Sequence, residues 1–172
     1  MIKYVVGDAT KPIYDAPNHF KIIMHVCNSG NIWGGGFVLA VSKEWPEAEE
    51  AYHDWFLKGA TNTADGPVYP ELGNVQFVQV TPSILVANMI AQVSFWEEEC
   101  WGKGPPIRYE ALRKCMAKVA EEHPESVHCP RLGCSISGGS WAVVEKIIEE
   151  ELCAKGIEVV VYDFPGGMGY NP

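Results

Sequence analysis

The chain of 172 residues is 47% apolar and 20% charged, the composition of an ordinary soluble globular domain with one core. Its formal charge of −9, from 13 Lys and Arg against 22 Asp and Glu with no basic stripe, excludes a protein that tracks a nucleic-acid polymer by neutralising phosphates. No apolar run reaches membrane-span length and "MIKYVVGDAT" lacks the features of a secretory leader, so the expectation is a cytoplasmic, monomeric domain with no membrane partner.

Short apolar runs of β type alternate along the chain with longer amphipathic segments, which predicts an α/β fold. The first run, "IKYVVG", ends at Asp8 and Ala9, and the second, "KIIMHVC", leads into "NSGNIWGGGF". Glycine is favoured where backbone takes positive φ or approaches a ligand closely, so this loop is expected to expose amides and to start a first helix. "EWPEAEEAYHDWF" follows with Pro46 and acidic residues suited to a helix first turn, and turns Ala48, Ala51, Tyr52 and Trp55 toward a core. "GATNTADGPVYPELGN" reads as a surface loop before two further strands, "VQFVQV" and "ILVANMIAQ".

"WEEECWGKGPP" is a candidate lid, its alternative a solvated acidic turn with Trp96 or Trp101 folded onto the surface. A helix is predicted from Arg108 to Glu122, with Leu112, Met116, Val119 and Ala120 on one face. The strand "SVHCPRL" then runs into a second glycine loop, "RLGCSISGGSW", and a helix carrying Trp141, Val144, Ile148 and Leu152. "IEVVVYDF" closes the domain, and residues 165–172, "PGGMGYNP", are expected to form a poorly ordered tail.

The second loop has P-loop spacing from Gly133 to Gly138, but glycine stands where the phosphate-binding lysine belongs, and neither loop forms GxGxxG. The six cysteines form no CxxC pair, and His128, Cys129 and Cys134 have no partner pair at zinc spacing, so reduced core thiols and no metal site are expected. A small anion could still be held by backbone N–H groups alone.

Taken together, "VVGDATKP", "NSGNIWGGGF", "RLGCSISGGSW" and "VVVYDF" resemble a macro domain over about residues 1–164. The run His25-Val26-Cys27-Asn28 followed by "WGGG" and "WPEAEEAY" is most similar to the fungal-type ADP-ribose 1″-phosphate phosphatases. The resemblance implies a three-layer α/β/α sandwich around a mixed, mostly parallel sheet of about six strands, with ADP-ribose or ADP-ribose 1″-phosphate as ligand and no cofactor. Asp8 and the Ala9 amide would hold adenine, although aspartate there also suits a turn or helix cap. Trp33, Gly34, Gly35, Gly36 and Phe37 would face Gly133, Ser135, Ile136, Ser137 and Gly138 across the diphosphate. Phe164 would cover adenine or else belong to the core.

The same resemblance points Asn28 at the distal ribose, with Asn31 as its competitor. His25 is the candidate to activate water, its alternative an imidazole buried on the strand and satisfied by a hydrogen bond. Relatives that remove ADP-ribose from acidic side chains use a lysine and a loop aspartate, and those positions align with Gln92 and Ser137. The implied activity is a hydrolase releasing phosphate. The alternatives are a reader that binds ADP-ribose without turnover, or a hydrolase of ADP-ribosylated protein.

Overall fold

The computed structural model describes residues 1–94, 104–166 and 169–172. The heart of the candidate lid, with Trp96, Cys100 and Trp101, lies outside the described residues.

In chain order the elements are β1 (Ile2–Val6), β2 (Lys21–Asn28), α1 (Phe37–Glu44), α2 (Pro46–Lys58), β3 (Thr61–Thr63), β4 (Gly66–Val68), β5 (Val75–Thr81), β6 (Ile84–Gln92), α3 (Tyr109–Glu121), β7 (Ser126–Pro130), α4 (Trp141–Glu151) and β8 (Glu158–Asp163). Six strands form one sheet in the order β1-β8-β7-β2-β6-β5, with every neighbouring pair parallel except β5 against β6. A strand covered on both faces reads as a continuous apolar run, and β2 does so because alternate residues serve opposite layers. Ile22 and Met24 meet the α3 and α4 side chains Leu112, Met116, Val144 and Ile148. Ile23 meets Val41, Trp45 and Ala48 of the other layer. Fully burying a side chain such as Leu112 or Ile148 stabilises the fold by about 1.5–3 kcal/mol.

Two expectations are corrected. The segment after α2 is not only loop: β3 and β4 pair antiparallel, Thr61 opposite Val68, the chain reversing at Ala64 and Asp65 and entering β4 at Gly66, φ 113. Strands of three residues are too short to show alternation in sequence. The tail, expected to be loose, instead supplies acceptors to the start of α4: Trp141 N–H donates to Asn171 O at 2.9 Å and Ala142 N–H to Pro172 O at 3.0 Å. First-turn N–H groups have no intrahelical partner, and here the tail carbonyls satisfy them.

Candidate functional site

A cleft of about 620 Å³ opens at the carboxyl ends of β2, β6, β7 and β8, where ligands bind in parallel α/β sheets. Its two long walls are the predicted glycine loops, Trp33 to Phe37 on one side and Gly133, Ser135, Ile136 and Ser137 on the other. Phe164 stands at its edge, 61% exposed, and is not core.

The glycines of the two walls serve different ends. In the second loop a Cβ at Gly138 would lie 2.6 Å from Pro105 and one at Gly133 2.9 Å from Ile107, while Gly139 presses on the Gly133 carbonyl. Those glycines are required by the protein's own packing. Gly34 and Gly35, by contrast, have nothing within 4 Å of a Cβ and do not take positive φ. Nothing in the protein demands glycine there, so the missing side chains leave room for a molecule in the cleft. Among the described residues, the N–H groups of Gly34, Gly35, Ser135, Ile136 and Ser137 have no hydrogen-bond partner. The start of α1 adds unpaired amides and a positive dipole end at Phe37. Gly138 is a correction: its N–H donates to Ser135 O at 3.1 Å, which removes it from the set of available amides.

Asn28 lines the cleft and also staples its wall. Its Oδ1 accepts from Gly30 N at 2.9 Å, Ile32 N at 3.3 Å and Tyr52 Oη at 3.1 Å, while Nδ2 donates to Ile32 O at 2.7 Å. The second Nδ2 hydrogen has no partner among the described residues and is available to the cleft. Asn31 takes φ 59 and turns its Oδ1 to His53 Nδ1 at 2.7 Å, outside the cleft lining. Of the two asparagines, Asn28 is the one at the cleft.

His25 lies on the floor, 2% exposed, with Trp33 and Phe37 rings edge-on at 5.3 and 6.1 Å. Burial pushes its pKa down to about 4, against a smaller opposing effect of the Asn88 hydrogen bond, so the ring is neutral at pH 7. The Cys27 thiol sits nearly equidistant from both ring nitrogens, 3.9 and 3.8 Å, and so lies along neither nitrogen lone pair. Burial also raises that thiol's pKa well above its usual value, so no thiolate nucleophile is set up.

Gln92 and Ser137, paired above only by alignment, touch: the Ser137 hydroxyl donates to Gln92 Oε1. At the adenine end implied by resemblance, Asp8 Oδ1 accepts from Thr10 N at 2.9 Å and Thr10 Oγ1 at 2.7 Å, the turn role foreseen as its alternative. Asp8 and Ala9 lie outside the cleft lining, and Ala9 is buried in a small cluster with Tyr162 and Phe37.

Sequence reasoning missed Arg131, the one Lys or Arg among the described lining residues. It is locked bidentately to Asp163 at 2.7 and 3.1 Å and faces the Tyr170 ring at 4.0 Å. The Arg131 hydrogen bond lowers the Asp163 pKa. Tyr170, in the tail, was also missed, because nothing local signals that the chain returns to the cleft. Among the described residues no group of three or more His, Cys, Asp or Glu is placed to hold a metal ion, and no helix is long and apolar enough to cross a membrane.

The chain is 43% identical to a macrodomain protein from Streptomyces coelicolor, over 95% of this chain and 99% of that one, with a TM-score of 0.76. It belongs to the macro domain family. A Bacteroides thetaiotaomicron protein of unknown function is 45% identical over 95% of this macro domain and 98% of its own chain, TM-score 0.83. The Thermosipho africanus DarTG structure in complex with ADP-ribose shares the fold at 14% identity, covering 86% of this chain and 38% of that one, TM-score 0.64. Among curated proteins, zebrafish chromodomain-helicase-DNA-binding protein 1-like is 28% identical over 98% of this chain, and its mouse counterpart 27% over 95%. The chain spans only 16% and 18% of those proteins' lengths. The Candida albicans ADP-ribose 1″-phosphate phosphatase is 24% identical, over 87% of this chain and 93% of that protein. No protein-family model matches the chain.

Proposed function

We propose that this macro domain binds ADP-ribose and acts as an ADP-ribose 1″-phosphate phosphatase, releasing ADP-ribose and phosphate. The observation that carries the ligand is the pair of facing loops with unpaired amides, where Gly34 and Gly35 leave space the protein itself does not use. Such amides suit a diphosphate in a protein of net charge −9, because they supply partial positive charge without lysine. The same preorganised donors would stabilise charge on a transferring phosphate. In this reading Asn28 directs its spare N–H to the distal end of the ligand and His25 offers a neutral ring to water. Phe164 covers the adenine; the resemblance, not the cleft lining, gives its amino group to Asp8, through the Oδ2 that Thr10 leaves unused, and the phosphatase named in C. albicans supports the reaction.

A reader without turnover is the second reading, favoured by one observation: Asp163, the only Asp or Glu among the described lining residues, is occupied by Arg131. Removal of ADP-ribose from protein is less favoured, since Gln92 and Ser137 stand where the lysine and the loop aspartate of those relatives would align and offer neither an amine nor a carboxylate. Phosphate release from ADP-ribose 1″-phosphate, measured beside calorimetric binding of ADP-ribose, decides. Binding with release is expected. Binding without release leaves the reader, and neither result refutes both.

A further inference from the structure

Behind His25, on the cleft floor, runs a buried row of polar side chains that includes two amides the proposed activity does not use. His25 on β2, Asn88 on β6 and Gln76 on β5 are direct register partners, so the three lie side by side across adjacent strands. All three are buried, Asn88 completely. Polar groups taken out of water at such depth destabilise the fold unless they are satisfied, and Asn88, at the centre of the row, has partners for its Oδ1 and for both NH₂ hydrogens.

The row has a fixed direction, set by two carbonyls of α2. A carbonyl can only accept, so the atom of Asn88 at 3.1 Å from Ala48 O is its NH₂, and the atom of Gln76 at 2.8 Å from Ala51 O is likewise its NH₂. The second Asn88 hydrogen goes to Gln76 Oε1 at 3.1 Å. That turns Asn88 Oδ1, an acceptor, toward His25 Nε2 at 2.5 Å, and an acceptor there requires the ring to carry its proton on Nε2. Nδ1 is then the bare nitrogen, with only the loosely placed Cys27 thiol near it at 3.9 Å. Among the described residues no ion pair reaches the ring, and the Asn88 amide, oriented by Ala48 and Gln76, is the group that selects its tautomer.

We propose that Asn88, braced by Gln76, is a positioning residue that holds His25 as the Nε2–H tautomer and presents Nδ1 to the cleft as a hydrogen-bond acceptor for the bound ligand or its attacking water. The second half rests on the ADP-ribose reading of the cleft, whereas the tautomer does not. A fixed acceptor on the floor complements walls made of donors, and it would select a ligand or water that turns a hydroxyl downward.

The test is nitrogen NMR on full-length protein labelled with ¹⁵N-histidine, which reads the protonation of each ring nitrogen directly. The wild type should show His25 with a protonated Nε2 and a bare Nδ1 at pH 7, and ADP-ribose should shift the Nδ1 signal. Asn88→Leu should abolish the single tautomer, giving a mixture, and lower ADP-ribose affinity or phosphate release at least tenfold. A protonated Nδ1 in the wild type, or an unchanged single tautomer in Asn88→Leu, overturns the assignment. An Nδ1 signal indifferent to saturating ADP-ribose overturns the contact. Should Asn88→Leu not fold, the wild-type spectra and Gln76→Leu, expected to loosen the tautomer preference, still decide. Absence of phosphate release in every form counts against the phosphatase and not against the tautomer.

Discussion

Replacing Gly35 with alanine adds one methyl group at a point where the protein has no atom within 4 Å and the backbone is not left-handed. The folded state should accept it without strain, and the unfolded chain loses freedom, so stability should stay level or rise by about 0.4–1 kcal/mol. The ligand pays instead, because the methyl occupies the space against which a diphosphate would reach the loop amides. Overfilling a closely packed contact costs about 1–3 kcal/mol, which corresponds to a loss of roughly 5- to 150-fold in affinity. Gly139→Ala is the contrasting case: its Cβ would collide with the Gly133 carbonyl, so that variant should lose stability. Differential scanning fluorimetry and calorimetric titration with ADP-ribose, run on both variants, separate the two effects. A Gly35→Ala protein that melts normally and binds ADP-ribose within twofold of wild type would refute the assignment of the first wall to the ligand.

Asp8→Ala should cost about 1 kcal/mol of stability through loss of the Thr10 turn, visible in a urea midpoint, and weaken ADP-ribose by about 1–3 kcal/mol; unchanged affinity would leave Asp8 with the turn alone. Asn28→Ala removes the hydrogen bonds that staple residues 28–32, so a stability loss of about 1–3 kcal/mol is expected along with lost phosphate release, and normal turnover would exclude Asn28 from the chemistry. Burial holds His25 at about 4 and His128 at about 3, below the usual 6.5, so the unfolded state binds more protons between those values. Stability is therefore fully present above about pH 6.5 and falls as pH drops toward 4, on the order of 3 kcal/mol for His25, and a flat urea midpoint over that range would contradict it. Phosphate release should likewise keep its histidine-dependent acid limb near pH 4 and not near 6.5, which a pH–rate profile checks. Deleting residues 169–172 should uncap α4 and cost about 1–2 kcal/mol, read as a lower melting temperature.

The strands of the large sheet and the helices were legible because each announces itself over a few consecutive residues, which the three-residue strands β3 and β4 are too short to do. "KIIMHVC" is apolar throughout since both faces of β2 are covered, and the spacing of Leu112, Met116 and Val119 marks the buried stripe of α3. The two glycine loops were legible for the same local reason, and so was the absence of a phosphate-binding lysine. What each glycine is for was not: Gly35 and Gly139 look alike in sequence, and only the neighbours brought up by folding distinguish open space from a carbonyl. The choice between Asn28 and Asn31 likewise turned on Tyr52 and His53, which α2 carries back to the loop. His25 was visible as a histidine on a strand, but its tautomer depends on Asn88, 63 residues away, and on carbonyls of α2. Local pattern determines which segments bury themselves, because burial follows from the period of the side chains. Hydrogen-bond direction and the shape of empty space belong to groups that meet only in the folded chain, so the chemistry of this cleft was decided there.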